Sequence, residues 1–286
     1  MVLLPMLRYL SVLASFAFAG VVATSGSAVA DPVTISDPEL ASVIKQILER
    51  KGIAKEIPDV EDLEAIRFLD GRHRGIKDLS GLEHCTELKQ LYLDHNTIQD
   101  IQPLAACVGL RSLSLSHNGL QNIDALKALT ELRQLNVEDN QIEDIGCVSG
   151  QTELKVLFAS RNRISDIQSV ARHSHLHSLF LADNRIADIT PLSSVSRLET
   201  VDLSGNEIVD VSALKGLRRL RWIFLSGNSI TDLSPLAAMA GDDTSKEFAP
   251  FWRLVLDGNP LSEQSAIHIR SLRAAGVEVR AQQQPD

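Results

Sequence analysis

Between Ile66 and Gly241 one 22-residue phrase is written eight times in succession, with no residue gained or lost. The copies begin at Ile66, Leu88, Leu110, Leu132, Leu154, Leu176, Leu198 and Leu220, and a ninth begins at Phe251 after an insertion. The spelling is L-x-x-L-x-L-x-x-N-x-I-x-D-I-x-P-L-x-x-L, nearly complete in Leu88, Leu91, Leu93, Asn96, Ile98, Asp100, Ile101, Pro103 and Leu104. A unit this short cannot bury its own apolar face. It must stack on its neighbours and form a quasi-linear solenoid with a shared core.

Inside each unit the fourth and sixth positions are apolar between polar neighbours, as in a short strand with one buried face. Leu69, Leu91, Leu113, Leu135, Leu157, Leu179, Val201, Ile223 and Leu254 form one inward column, and Ile76 through Leu261 at position eleven form another. The Asn at position nine (96, 118, 140, 162, 184, 206, 228, 259) lies where the chain must leave the strand. Its amide can serve both donors and acceptors of the turning backbone, so this column reads as scaffold. The other side of each unit reads as a short helical turn, with Ser80, Asp124, Thr190, Ser212 and Ser234 as caps and Pro103, Pro191 and Pro235 in its first positions. Parallel strands about 4.8 Å apart then make a row of nine roughly 40 Å long. Wider helical turns behind them would curve the row, leaving the strands on the hollow side.

This pattern resembles the leucine-rich repeat family. The stretches Val33 to Leu40 and Arg74 to Leu82 are similar to the opening of bacterial internalin-like repeat proteins. The resemblance implies an α/β solenoid: a leucine-rich repeat horseshoe with a parallel β-sheet on the concave face, short helical turns on the convex face and a helical N-terminal cap. It further implies an exported binding module.

The rest of the chain is organised around the repeats. Residues 1–30 read as a signal peptide: Arg8 is the only charge, Tyr9 to Val22 is apolar, and Ala28-Val29-Ala30 precedes Asp31. Residues 31–65 read as a helical cap, with Asp37 and Pro38 opening a helix that Gly52 stops and a second short helix after Asp59. The repeats occupy 66–261. The segment 262–286 reads as a closing helix, a strand-like Val277 to Val279 and a tail. The whole chain has 37 acidic and 28 basic residues, a net charge of −9. Without the leader and its Arg8, 37 acids face 27 bases, a net of −10. That balance argues against nucleic acid or an anionic membrane surface as partner, since both demand concentrated Lys and Arg. No second apolar run of about twenty residues follows the leader. The expected product is a soluble monomer, periplasmic or secreted after cleavage near Ala30.

The candidate site follows from the period, because strand positions three, five and seven point away from the core and can vary freely. Large apolar side chains gather there in the C-terminal half. The expected partner-binding set is Tyr92, Val156, Phe158, Phe180, Asp202, Trp222, Phe224 and Arg253. Grouped aromatics with an Arg are the usual anchors of a protein partner. The alternative is a cell-envelope glycan, stacked on aromatic rings with Asp or Asn bonding its hydroxyls. A hydrolase is a remote third reading, for no nucleophile elbow or phosphate loop is present. No cofactor or metal is expected. His73, His95 and His117 recur at position eight, but a ladder has the wrong shape for a tetrahedral site. His173, His175 and His177 are placed on a solvated outer turn, and the Asp column at position thirteen is assigned to local turns. Cys85 and Cys107 share an inward position in neighbouring repeats, read as buried thiols with a disulfide as the alternative. The extra loop at Gly241 to Pro250 is either a tolerated insertion or part of the site.

Overall fold

The computed structural model describes residues 31–282; the expected leader lies outside them. The strands are β1 (Phe68–Asp70), β2 (Gln90–Tyr92), β3 (Ser112–Ser114), β4 (Gln134–Asn136), β5 (Val156–Phe158), β6 (Ser178–Phe180), β7 (Thr200–Asp202), β8 (Trp222–Phe224), β9 (Arg253–Val255) and β10 (Glu278–Arg280). They form one parallel sheet in chain order, and each residue pairs with the one at the same repeat position next door. The sheet has ten strands, one more than the repeats supply: the C-terminal segment adds β10 beside β9. Behind the sheet, Leu82–His84, Gln102–Ala106 and their equivalents form 3₁₀ turns, and only the eighth repeat widens into a true α-helix, α3 (Ser234–Gly241). The fold is a leucine-rich repeat solenoid.

The core is the expected pair of columns and more, except that Leu261, the last of the second column, is only partly buried against it. Every position-four residue from Leu69 to Leu254 is at most 1% exposed. Gly71, which replaces an inward Leu, does not leave the first repeat loose. A Cβ there would meet Ile76 Cδ1 and Leu93 Cδ2 at 3.0 Å, so the neighbours have closed in.

Hydrogen bonds explain the Asn column. Asn206 Nδ2 donates to Leu203 O (3.0 Å) in its own repeat and to Leu181 O (2.9 Å) in the preceding one, while its Oδ1 accepts from Ile186 N (3.0 Å), also in the preceding one. The same pattern holds from Asn96 to Asn259. Each Asn is thus a stitch to the repeat before it. That accounts for Arg74 at position nine of the first repeat: there is no earlier repeat to stitch to.

In place of an earlier repeat stands the cap, α1 (Pro38–Arg50) followed by α2 (Val60–Glu64). Leu40, Val43, Ile44 and Leu48 are the buried face of α1. Asp37 both caps α1, accepting from Glu39 N (2.9 Å) and Leu40 N (3.0 Å), and reaches Lys77 N (2.8 Å) and Asp78 N (3.2 Å) of the first repeat. Burial pushes its carboxyl up, but these four N–H donors outweigh burial and hold it below the usual value.

The outer turns correct one expectation. Ser80, Thr190, Ser212 and Ser234 do not cap them. Their hydroxyls donate to the Asp two residues earlier, and that Asp accepts the backbone N–H, as in Asp188 with Thr190 N (2.8 Å) and Oγ1 (3.0 Å). The position-thirteen carboxylates are therefore turn closers, as Asp in this geometry commonly is.

The ninth repeat corrects another. Phe251, assigned to the inward first position, is 55% exposed, whereas Trp252 is fully buried. The insertion causes the change. Asp243 accepts from Glu247 N (2.9 Å), Phe248 N (3.0 Å) and Ala249 N (2.8 Å), folding the loop so that Phe248 joins Trp252 in the core with ring centroids 5.6 Å apart. Arg218 and Arg221 lie over Phe248 and Phe251 at 5.7 and 4.8 Å. The loop is a structural wedge. Beyond it α4 (Glu263–Ala274), capped by Ser262, leads to β10.

Asn206→Ala is expected to cost about 1–3 kcal/mol, because it strands the Ile186 N–H in the core and takes one of two side-chain donors from each of Leu181 O and Leu203 O. Arg74→Ala, at the position with nothing to stitch, is expected to stay within about 0.5 kcal/mol of the parent. Urea unfolding of both variants against the parent checks the contrast.

Candidate functional site

The outward strand positions carry three separate aromatic groups. On β5 and β6, Phe158 and Phe180 are register partners whose rings stack at 4.7 Å with planes 7° apart. On β8, Trp222 and Phe224 lie two residues apart, 6.3 Å between centroids, and Arg253 from β9 sits 5.4 Å over the Trp222 ring. Arg253 also pairs with Glu278 of β10. Asp202 stands in register between Phe180 and Phe224, with its Oδ1 accepting from Ser204 N at 3.0 Å. Val156 is half-buried beside Ser178. Trp222 is 46% exposed, while Phe158, Phe180 and Phe224 are half-buried yet face outward from the sheet. The structure thus brings together seven of the eight expected residues along β5 to β9.

Tyr92 is the exception. It belongs to a third group at the other end, edge-on to Phe68 at 5.9 Å with Arg72 5.5 Å from its ring. Arg72 is itself clamped by Asp70 (2.6 and 2.9 Å), and that ion pair holds the Asp70 carboxyl below its usual value. Phe68, 49% exposed, and Arg72 are members that the sequence reading left out. Both were visible at outward positions, but they are isolated in the sequence and joined only by the fold.

Between Tyr92 and Phe158 the sheet face sinks into a hollow of about 400 Å³. Its floor is β3 and the two residues beyond it, where Ser112, Ser114 and Ser116 occupy all three outward positions. Asp94 accepts there from Ser116 N (3.0 Å) and Ser116 Oγ (2.6 Å), and from the Ser114 hydroxyl. A hollow made by small residues gives no positive signal in a sequence, which is why it went unread.

Along one rim runs position eight, and here the backbone decides. His73, His95, His117, Asp139, Arg161 and Asp183 all have φ between 52° and 56°, and the later repeats place Gly205, Gly227 and Gly258 at the same point. The turn demands a left-handed residue, which glycine adopts freely and other residues only at a cost. The three imidazoles stack at 4.3 and 4.0 Å. His117 Nε2 lies 3.1 Å from Asp139 Oδ2, and Arg161 grips the same carboxylate at 2.5 and 2.6 Å, keeping it below its usual value. Stacked rings send their nitrogens side by side instead of to one point. Among the described residues no group of three or more His, Cys, Asp or Glu converges as metal ligands do.

Comparison with known proteins settles the family. Leucine rich repeat profiles match residues 174–230, and a two-copy form matches 108–149 and 152–194. Internalin C2 of Listeria monocytogenes is 32% identical over 71% of this chain and 89% of its own, with a TM-score of 0.67. The chain belongs to the internalin-like leucine-rich repeat proteins. The functional domain of InlJ from Listeria monocytogenes, which includes a cysteine ladder, is 21% identical over 87% of this chain and 59% of its own, with a TM-score of 0.62. A leucine-rich repeat protein of Leptospira interrogans is 22% identical over 77% of this chain and 62% of its own, with a TM-score of 0.67. These two share the fold. No curated protein sequence matches. Among the described residues no helix is long and apolar enough to cross a membrane.

The three thiols of this internalin-like protein are turned to the core. Cys85, Cys107 and Cys147 are free and buried, and burial pushes each thiol up to about 12, far from the thiolate a nucleophile needs. His173 corrects the sequence reading: it is 1% exposed and not on a solvated turn. It occupies position twenty, the slot of Cys85 and Cys107. In that slot Cys107 Sγ, Gln151 Nε2 and His173 Nε2 each reach a carbonyl of the preceding repeat, at Leu82 (3.3 Å), Leu126 (2.8 Å) and Val148 (3.0 Å). Polar residues are admitted there because the stacked backbone supplies an acceptor.

Burial holds the His173 pKa below its usual 6.5, although Val170 O and Val148 O oppose the shift. Below that pH the unfolded chain binds a proton that the folded chain refuses, so stability must fall as pH drops through 6.5. His173→Gln, which imitates Gln151, is expected to flatten the loss of urea stability between about pH 6.5 and 5, the range in which an unshifted histidine takes up its proton. Alkylation without reductant, read by intact mass, is expected to add nothing to the native protein and three labels to the unfolded one.

Proposed function

We propose that this protein is an exported, non-catalytic binding module that captures a protein partner on the sheet face. The residues 31–65 and 262–286 close the ends of the repeat array at 66–261, and residues 1–30 direct export. The observation that carries the reading is the outward aromatic run on β5 to β9: Phe158 stacked on Phe180, then Phe224 beside Trp222, which lies under Arg253. None of these side chains is spent on the core columns, and aromatic and Arg anchors dominate the energetics of protein interfaces. Family membership supports it, since leucine-rich repeats are generally interaction modules. So does the hydrogen-bonded stack beneath, for a rigid face loses little conformational entropy on docking.

The test is capture of a partner from the native envelope fraction, identified by mass spectrometry and then measured with purified components. Phe158→Ala with Phe180→Ala, and Trp222→Ala with Phe224→Ala, are each expected to weaken binding at least tenfold, since single interface hot spots cost about 2 kcal/mol or more. Melting is expected to stay near that of the parent. Unfolding of either double variant would show that the rings serve the scaffold. Specific hits on a glycan array with no protein capture would replace the protein reading by a saccharide one.

A further inference from the structure

The hollow over β3 lies at the opposite end of the face from the aromatic run, joined to it at Phe158. Tyr92, Ser114, Asn136 and Phe158 are consecutive register partners, so three strand steps, about 14 Å, separate the two aromatic walls. That width accepts about four residues of extended chain. Gln134, Asn136 and Ser112 line it with amides and a hydroxyl able to meet a peptide backbone.

Asp94 is the one acidic side chain lining the hollow, with Arg72 on its wall and His73, His95 and His117 along its rim. Arg72 and Asp94 are the only Asp, Glu, Lys or Arg residues lining it, and Arg72 is already held by Asp70. No basic side chain among the described residues is in ion-pair contact with Asp94. Its Oδ1 is fixed by Ser114 and Ser116, and no donor among the described residues engages its Oδ2. A carboxylate oriented in this way, in a recess edged by aromatic rings, suits a cation. An anion would meet Asp94 directly, and an apolar side chain would strip water from the carboxylate and hydroxyls without replacing it. The acidic surplus of the chain, 37 against 28, adds long-range attraction for a basic partner.

We propose that the hollow seats an arginine or lysine side chain carried on an extended segment of the protein partner, with Asp94 as its counter-ion. This deepens the sheet-face reading and rests on it. The partner would lie along the sheet, its basic residue at β3 and its apolar contacts on β5 to β9.

The experiment uses small probes, so it needs no identified partner. N-acetylarginine amide, N-acetylcitrulline amide as its neutral counterpart, and chitotetraose are titrated into the ¹⁵N-labelled protein. The arginine probe is expected to shift the amide signals of Asp94, Ser114 and Ser116 saturably, and several-fold more weakly as salt is raised. Citrulline is expected to bind at least fivefold more weakly. Asp94→Asn, which keeps an acceptor for Ser116, should lose the arginine response, and Ser112→Leu, which fills the recess without touching Asp94, should lose it too. Should Asp94→Asn fail to fold, Ser112→Leu decides. Equal binding of citrulline, an unchanged response in the variants, or stronger shifts by chitotetraose would each overturn the proposal. Trp222→Ala with Phe224→Ala should leave the arginine response intact. An absent response beside aromatic variants that abolish partner capture defeats this inference alone, whereas capture indifferent to those aromatics defeats the sheet-face reading beneath it.

Discussion

One side-chain amide, repeated, holds the array together. The Asn at position nine donates to a carbonyl of its own repeat and to one in the repeat before, and accepts an N–H from that earlier repeat. The N–H has that one acceptor, each carbonyl is shared between the Asn side chains of two successive repeats, and an unpaired group there costs about 1–3 kcal/mol. The period follows from this geometry. A repeat lengthened by one residue would move either the Asn or the carbonyl it must reach. Where an insertion does occur, before Phe251, Asp243 folds it away and Asn259 still reaches Leu225 O at 2.8 Å. The scaffold absorbs the extra residues outside the stitch.

Residues with fixed backbone tasks were the legible ones. The inward Leu columns, the Asn stitch and the Asp turns all recur at a constant interval, and recurrence separates a scaffold task from chance. The readings that failed concern residues whose task depends on a partner in another repeat. His173 looked like one of three alternating histidines near a turn, yet its repeat position is that of Cys85, Cys107 and Gln151, and a carbonyl from the preceding repeat makes that slot tolerable. Ser80, Thr190 and Ser234 looked like helix caps because Ser and Thr usually are. The Asp two residues earlier had already taken the backbone N–H, leaving each hydroxyl to donate to that Asp.

The binding face divides along the same line. That Phe158, Phe180, Trp222 and Phe224 point outward follows from strand alternation alone. That Phe158 stacks flat on Phe180, while Arg253 covers Trp222, follows from register and rotamer, which no single repeat contains. The recess over β3 is harder still, being an absence: Ser112, Ser114 and Ser116 are ordinary residues, notable only because Tyr92 and Phe158 rise on either side. Position eight was legible as a recurring slot but not in its cause. Histidine, Asp, Arg and Gly share it because all sit at positive φ, so chemical variety there reflects a backbone demand that several residues meet imperfectly.

From this separation follows how such a surface can change. Outward positions three and five take no part in the Asn stitch, the inward columns or the turn closures, so their side chains can be exchanged at little cost to folding. Positions seven and eight are less free, because seven borders the turn and eight must accept a left-handed backbone. Asp94 stands at this boundary. It closes its neighbour's turn through Ser116 N while holding a carboxylate open to the recess. A group so placed is oriented by the fold before any partner arrives, and that prior orientation lowers the entropy lost when a cation docks.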